Sequence, residues 1–208
     1  MIEKYITIKK EYSAEIVVKK SRFIAVVAPA ANEDEAAAVL SKIRKENRDA
    51  RHNCSAFIVG HEARLCRSSD DGEPQGTAGK PMLEILDKKG FSDVIGVVTR
   101  YFGGILLGTG GLVRAYSSAL EEAVAKCDTI EMKPGAVYEV TTGYTDIGKI
   151  LRFIENAGIR VLSSDYLDVI RIKVLCPISV CDSFEANVKN ISLGKAIIEK
   201  VETGFFEM

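Results

Sequence analysis

The stretch that decides the fold runs from Ser68 to Leu120. It contains SSDDGEPQGTAGKP at residues 68–81 and VVTRYFGGILLGTGGLVRAYSSAL at residues 97–120. Glycine allows positive φ and lets a backbone approach a ligand closely, and the free amides of a helix N-terminus attract anions. The stretch therefore predicts a binding site built from two glycine-rich turns, the second of which leads into a helix. Its charged residues are Asp70, Asp71, Glu73, Lys80, Arg100 and Arg114.

Strands and helices are predicted around this stretch. Asn32 and Glu35 are spaced as a capping box before an apolar periodicity, which predicts a helix that ends near Asn47. β-branched and aromatic runs between short polar stretches predict strands. The predicted strands cover residues 5–8, 15–19, 23–29, 55–60, 64–67 and 94–101. A second helix is predicted at 82–87, with Pro81 in the first position. A third is predicted at 112–126, after a loop at 103–111.

The last part of the chain has a complete pattern of its own. Lys133, Pro134 and Gly135 predict a linker, because Pro and Gly interrupt regular structure. The elements predicted after it follow the order βαββαβ, which is that of the ferredoxin-like fold. We therefore expect an α+β chain with domains at residues 1–133 and 134–208, the second of them ferredoxin-like. A fold of this kind does not by itself name a function.

Composition limits the partners that the protein can bind and the cellular compartment in which it is expected. The 208 residues carry 28 basic and 29 acidic side chains, so any attraction to nucleic acid must come from a local patch. The five cysteines are an odd set without CxxC spacing, which argues against a disulfide framework and favours a reduced cytosol. No apolar run approaches the ~20 residues that span a bilayer, and the N-terminus has no signal-like apolar region. We expect a full-length cytoplasmic protein with no membrane partner; the oligomeric state stays open.

The second glycine-rich turn predicts a phosphate site. Gly110 and Gly111 supply amides at a helix N-terminus and Arg114 supplies a side chain, while Gly103 and Gly104 bring the preceding backbone close. The alternative is that these glycines only form a tight turn between a strand and a helix. The run matches neither GxxxxGK[ST] nor GxGxxG, which argues against a nucleotide-hydrolysing motor and a Rossmann dehydrogenase.

The acidic loop has two interpretations. Asp70, Asp71 and Glu73 provide the oxygen ligands that Mg²⁺ prefers, with Gly72 letting the backbone fold around the ion. The same residues are typical of a surface turn in which carboxylates accept bonds from nearby amides. In that case Lys80 and Arg100 neutralise the carboxylates instead of meeting a ligand.

Two further sets of residues are weaker candidates. His52 and Asn53 are kept as site residues, but His52, Cys54, His61 and Cys66 match no zinc spacing, and we expect no metal there. Two histidines alone do not make a catalytic triad arguable. The end of the first helix is basic, which fits either a solvated face or contacts with RNA phosphates. Its basic residues are Lys42, Arg44, Lys45, Arg48 and Arg51.

The chain closely resembles the YigZ/IMPACT family. The resemblance rests on KKSRFIA at 19–25, HNC at 52–54, SSDDGEP and GTAGKP within 68–81, VVTRYFGG at 97–104 and LGTGGLVRAY at 107–116. It implies an N-terminal domain like the second domain of a small-subunit ribosomal protein, and a C-terminal domain similar to the last domain of elongation factor G. It also implies a link to the control of translation. The partnership that eukaryotic members make through an added N-terminal domain is not carried over.

One residue departs from the family pattern. Many relatives have a lysine between the two glycine pairs, as in FGGIKLG, where this chain has Leu106. If that lysine contacts phosphate in relatives, the site here has one positive charge fewer.

Our leading hypothesis is a non-enzymatic protein that binds RNA, the ribosome or a translation factor. In this hypothesis the phosphates are bound by Lys80, Arg100 and Arg114, and a base stacks on Tyr101 or Phe102. The first alternative is a Mg²⁺-dependent enzyme or binding protein for a small phosphorylated ligand, because the resembled N-terminal fold also occurs in kinases of small metabolites. The second is an interaction scaffold that binds through its ferredoxin-like sheet.

Overall fold

The computed structural model describes residues 4–61 and 64–208. Contacts between Cα atoms divide the chain into two compact units, the first ending at Glu131 and the second beginning at Met132. Each unit has an antiparallel sheet with helices, so the predicted α+β class is confirmed. Within the described residues, no helix is both long and apolar enough to cross a membrane.

The first unit is built on one five-stranded antiparallel sheet with strand order β2-β3-β6-β4-β5. Strand β6 is central, and its bounds match the predicted ones. The elements in chain order are β1 (Tyr5–Ile8), β2 (Tyr12–Val18), β3 (Ser21–Pro29), α1 (Glu33–Glu46), β4 (His52–Val59), β5 (Leu65–Ser69), α2 (Gly79–Lys88), β6 (Val94–Tyr101) and α3 (Thr109–Val124).

Helices cover both faces of this sheet, because successive residues of a strand point to opposite sides. Phe23, Cys54 and Val98 belong to the apolar cluster that includes α2 and α3. Val59 and Val97 belong to a second cluster with α1. Strand β6 is therefore buried on both sides, which explains why its residues 94–98, VIGVV, do not alternate between apolar and polar side chains.

The capping box predicted for α1 is confirmed. The Asn32 side chain accepts a hydrogen bond from the Glu35 amide at 2.9 Å, and the Glu35 carboxylate accepts one from the Ala31 amide at 2.8 Å. The helix then runs to Glu46, with Asn47 as its C-cap. Local side-chain chemistry thus fixes both ends of this helix.

The second unit has the predicted ferredoxin-like order of elements. Strand β7 pairs with β10 and β9, and β9 pairs with β8, all antiparallel. One apolar cluster joins α4 and α5 to this sheet. The elements are β7 (Thr129–Thr142), α4 (Ile147–Asn156), β8 (Arg160–Tyr166), β9 (Ile170–Pro177), α5 (Cys181–Ile191) and β10 (Ile197–Glu207).

The predicted linker at Lys133–Gly135 is wrong. These residues lie inside β7, where Pro134 pairs with Phe205 and Gly135 pairs with Gly204 of β10. Lys-Pro-Gly is typical of a turn in isolation. Here the late part of β10 supplies a pairing partner that the local sequence does not reveal.

Candidate functional site

Some of the predicted site residues lie together at the end of the first unit's sheet where β6 stops. His52 at the start of β4 and Phe23 in β3 both lie opposite Arg100 in the strand register. The β6–α3 loop returns over the β2–β3 turn, where the Gly103 amide donates to the Ser21 hydroxyl at 3.1 Å. The segment 70–79 between β5 and α2 reaches the same end, as its contacts below show.

Asp70 organises the loop that precedes α2. Its carboxylate accepts backbone N–H bonds from Gly76 at 2.8 Å, Ala78 at 3.0 Å and Gly79 at 2.9 Å. Two of these amides are at the start of α2, so Asp70 caps a helix from nine residues upstream. This explains why α2 begins at Gly79, two residues before the predicted start at Pro81.

The three amides also set the acidity of Asp70. Burial alone raises the pKa of this carboxyl, but the three N–H bonds together outweigh burial and hold its pKa below the usual value. The native state therefore binds this proton more weakly than the unfolded chain does. The resulting stabilisation is complete above the unfolded-state pKa near 4 and is lost as the pH falls through the lower native pKa.

We expect Asp70→Asn to lower the free energy of unfolding by about 2 kcal/mol at pH 7, because an amide group then faces at least one backbone donor. Because Asn does not ionise, the variant also lacks the fall in stability that protonation of Asp70 causes in the natural protein below about pH 4. Urea unfolding at pH 7 and pH 3 measures both effects. Equal stability of the variant and the natural protein at pH 7 contradicts the capping role.

Asp71 ties the same turn to two other elements. It has a positive φ of 43°, and its carboxylate accepts from the Asn53 amide at 2.7 Å and from the Arg44 guanidinium at 2.7 Å. Asn53 in turn accepts a bond from the buried Thr99 hydroxyl at 2.8 Å. Asp71 and Asn53 therefore hold the loop against β4 and α1.

Glu73 is the centre of a buried polar cluster. One of its oxygens accepts from the Arg100 guanidinium at 2.7 Å and from the Tyr116 hydroxyl at 2.8 Å. The side chains of Glu73 and Arg100 are only 4% and 7% exposed. The sequence predicts Arg100 as a phosphate contact, but the structure buries it and commits it to Glu73. The alternative interpretation, in which Arg100 neutralises the acidic loop, is the one that this geometry supports.

His52 borders this cluster in a defined orientation. Its Nδ1 lies 2.9 Å from the Asp71 carbonyl oxygen, which only accepts, so Nδ1 carries the proton. Its Nε2 then faces the Glu73 carboxylate at 4.0 Å. Burial raises the pKa of the neighbouring Cys54 to about 12 and also raises the pKa of Tyr116. Neither the thiol nor the phenol is therefore poised as a nucleophile or a proton donor near pH 7.

The acidic loop does not converge on one point. Asp70 bonds backbone amides, Asp71 bonds Arg44 and a strand amide, and Glu73 bonds Arg100 and Tyr116. Across residues 4–61 and 64–208, no group of three or more His, Cys, Asp or Glu side chains is arranged to hold a metal ion. The geometry lends no support to Mg²⁺ binding by these three carboxylates.

A cavity of about 300 Å³ lies beside the first turns of α3. Lys19 and Arg114 bring two positive charges to it, and no acidic side chain is among its described lining residues. Helix α3 begins at Thr109, three residues before the predicted start, so Gly110 and Gly111 lie in its first turn instead of in the loop. The N-cap residue Gly108 offers no side-chain acceptor, which leaves the first amides of α3 open to an anion. The lining residues are Val18, Lys19, Leu107, Gly111, Arg114, Ala115 and Ser118.

Other predicted site residues lie apart from this cavity. Gly103 is packed on the Lys20 backbone and its amide is already bonded, whereas Gly104 is exposed with a φ of 82°. Tyr101 points to the α1 side of the sheet, where its hydroxyl donates to Asn47 at 2.9 Å. Lys80 is exposed on the first turn of α2 and does not line the cavity.

Sequence reasoning missed two contributors. Lys19 lines the cavity although it was not a candidate, and Tyr116 completes the Glu73 cluster although its position predicts only a core residue. The adjacent lysines 19 and 20, both with positive φ, form the β2–β3 turn. The predicted strand at 15–19 ends on Lys19, and only Lys20 falls between predicted strands, so nothing local shows that these lysines form a turn that faces α3.

Comparisons with known proteins agree with this two-unit arrangement. The Impact N-terminal domain matches residues 19–124, and a Domain of unknown function (DUF1949) matches residues 140–195. IMPACT family member YvyE of Bacillus subtilis is 35% identical over 207 residues, which cover 100% of this chain and 95% of that protein. IMPACT family member YigZ of Escherichia coli is 36% identical over 187 residues, covering 89% and 92%. A crystal structure described as that of a hypothetical protein has a TM-score of 0.67 and 33% identity, covering 97% of this chain and 99% of the other.

Proposed function

The chain belongs to the IMPACT family, and on that premise we propose that its first unit binds RNA phosphates at the cavity beside α3. The single observation that carries the proposal is the cavity itself. It combines two cationic side chains, Lys19 and Arg114, with Gly111 from the first turn of a long helix. Each of these features favours an anion, and together they favour a phosphate.

More cations surround this end of the sheet. Lys20, Arg48 and Arg51 are exposed, and no ion pair joins them to the described residues. Arg48 follows Asn47, the C-cap of α1, which the bond from the Tyr101 hydroxyl holds beside the end of β6. Because the whole chain is close to neutral, a cluster of unpaired cations at one end supplies the local positive field that a polyanion requires.

RNA of the translation machinery is the partner that fits the family best. The family resemblance links the chain to the control of translation, and phosphate contacts position a protein on nucleic acid without reading sequence. A small phosphorylated ligand is the second candidate, because a cavity of about 300 Å³ also suits such a molecule. We propose no catalytic step at this site.

Charge reversal of the cavity tests the proposal. We expect the double variant Lys19→Glu, Arg114→Glu to bind a single-stranded RNA of roughly 12 nucleotides at least ~10-fold more weakly at low salt. Loss of two phosphate contacts also makes the slope of log K against log salt shallower by about 1.4. Fluorescence anisotropy over a salt series measures both quantities.

Lys88→Glu is the matched control, since Lys88 is also exposed but lies in the last turn of α2 and does not line the cavity. Its affinity is expected to stay close to that of the natural protein. Unchanged binding by the double variant contradicts the proposal. Competition by a sugar phosphate at low concentration, with no measurable RNA binding, supports the small-ligand candidate instead.

A further inference from the structure

We propose that this site, given RNA binding as its function, takes single-stranded RNA and holds one unstacked base against the exposed ring of Phe102. Phosphate binding at α3 alone does not distinguish single strands from duplexes. The inference therefore adds a substrate class and a specificity-determining residue. It starts from a phenyl ring that is 51% exposed beside a cluster of cations.

The Phe102 ring rests on a buried cation. The Arg100 guanidinium carbon lies 5.5 Å from the centroid of Phe102 and also 5.5 Å from the centroid of the fully buried Phe23. Glu73 fixes this guanidinium through the 2.7 Å ion pair. Arg100 is thus a positioning residue that supports the ring, and the ring loses little conformational freedom when a base stacks on it.

Arg100 also has an unused donor. Its Nε is buried and has no hydrogen-bond acceptor among the described residues. Native structures rarely leave such a donor unsatisfied. Because this Nε is buried, a ligand oxygen does not reach it in this arrangement, and the placement of the ligand rests on the exposed Phe102 ring.

Phe102 lies on the same loop as the phosphate site. The next residue, Gly103, packs on the Lys20 backbone, and Leu107 at the other end of the loop lines the cavity with Lys19. A strand that places a phosphate in the cavity therefore passes the β6–α3 loop that carries the ring. Tyr101 does not compete for this role, because Asn47 holds its hydroxyl and Arg22 covers its ring at 5.4 Å.

Only an unpaired strand can offer a base face to the ring. Bases inside a duplex are stacked on both sides, whereas single strands place bases on aromatic side chains. The exposed Ile105 and Leu106 give the loop further apolar surface, which an anionic membrane would also accept. The observations favour RNA, because Arg100 holds the Phe102 ring in a fixed position from which it can stack on a base.

The test compares Phe102→Leu with Phe102→Trp and with Leu106→Ser. The first removes the aromatic face, the second keeps it, and the third changes an apolar side chain of the same loop that is 83% exposed. The probes are an unstructured RNA of roughly 12 nucleotides, the same strand annealed to its complement, and the same strand with abasic sites. Vesicles containing phosphatidylglycerol are the membrane probe.

We expect the natural protein to bind the intact strand about 10-fold more tightly than the abasic strand or the duplex. Phe102→Leu is expected to lose that preference and to bind the intact and abasic strands equally. Phe102→Trp and Leu106→Ser are expected to retain it. Thermal melting checks that the variants are folded.

Each of the following results overturns the inference. The first is a single-strand preference that Phe102→Leu leaves unchanged, and the second is equal binding of duplex and single strand by the natural protein. The third is that the natural protein binds vesicles tightly, loses this binding in Leu106→Ser, and shows no preference for the intact single strand. If Lys19→Glu, Arg114→Glu weakens RNA binding and Phe102→Leu does not, the proposed function stands and this inference fails. If no RNA binds, both fail.

Discussion

Gly103→Ala is expected to destabilise the first unit by about 3 kcal/mol or more, and to weaken RNA binding as the β6–α3 loop shifts. A Cβ at this position would overlap the Lys20 carbonyl carbon, its oxygen and the Ser21 amide nitrogen. All three are backbone atoms of the β2–β3 turn. No side-chain rotation relieves such a clash, so the loop, the turn or both must move.

Gly104→Ala is the matched control for that variant. A Cβ on Gly104 has nothing within 4 Å, and its cost comes only from the positive φ of 82°. We expect a loss of about 1 kcal/mol there. Chemical denaturation of both variants separates steric from conformational effects. Equal losses for the two substitutions contradict the close packing of Gly103 on the turn.

Glu73→Ala is the second substitution with a large expected effect. It leaves the Arg100 guanidinium buried without its counter-charge and removes the acceptor of the Tyr116 hydroxyl. Removing one partner of a buried ion pair costs about 3–5 kcal/mol. Urea unfolding of the variant measures this loss. Because Arg100 supports the Phe102 ring, the single-strand preference is expected to fall as well.

The control is Glu15→Ala, which breaks the bidentate pair between Glu15 and Arg22. This pair has good hydrogen-bond geometry but is about half exposed on both sides. Exposed ion pairs contribute only about 0–1 kcal/mol, so the variant should unfold close to the natural protein. A Glu73 variant as stable as the Glu15 variant would show that the buried cluster does not hold the site together.

The sequence predicts the fold well where local chemistry sets the ends of elements. The capping box of α1 and the strand at residues 94–101 are both predicted from the chain, and both are confirmed. The predicted starts of α2 and α3 were late. Asp70 caps α2 from a distant position, and the glycines at 110 and 111 enter the first turn of α3 although glycine disfavours helix interiors.

The contacts within the two glycine-rich segments could not be predicted from the sequence. Glu73 of the first segment meets Arg100 of the second at one end of the sheet, whereas Lys80 lies apart from them. The contacts that these residues make depend on two features. One is the strand register that places His52 opposite Arg100, and the other is the fold of the acidic loop at the end of the same strands. Glu73 and Arg100 are 27 positions apart, and no local pattern tells a buried ion pair from two ligand-binding groups.

The central claim is that phosphate binds beside the first turn of α3. Backbone amide chemical shifts during titration with a single-stranded RNA of roughly 12 nucleotides test it most directly. The account predicts saturable shifts at Lys19, Lys20, Gly110 and Gly111, with little change at Lys88 or in the ferredoxin-like sheet of the second unit. Shifts confined to that sheet, or to the basic face of α1, would contradict the account and move the interaction away from the cavity.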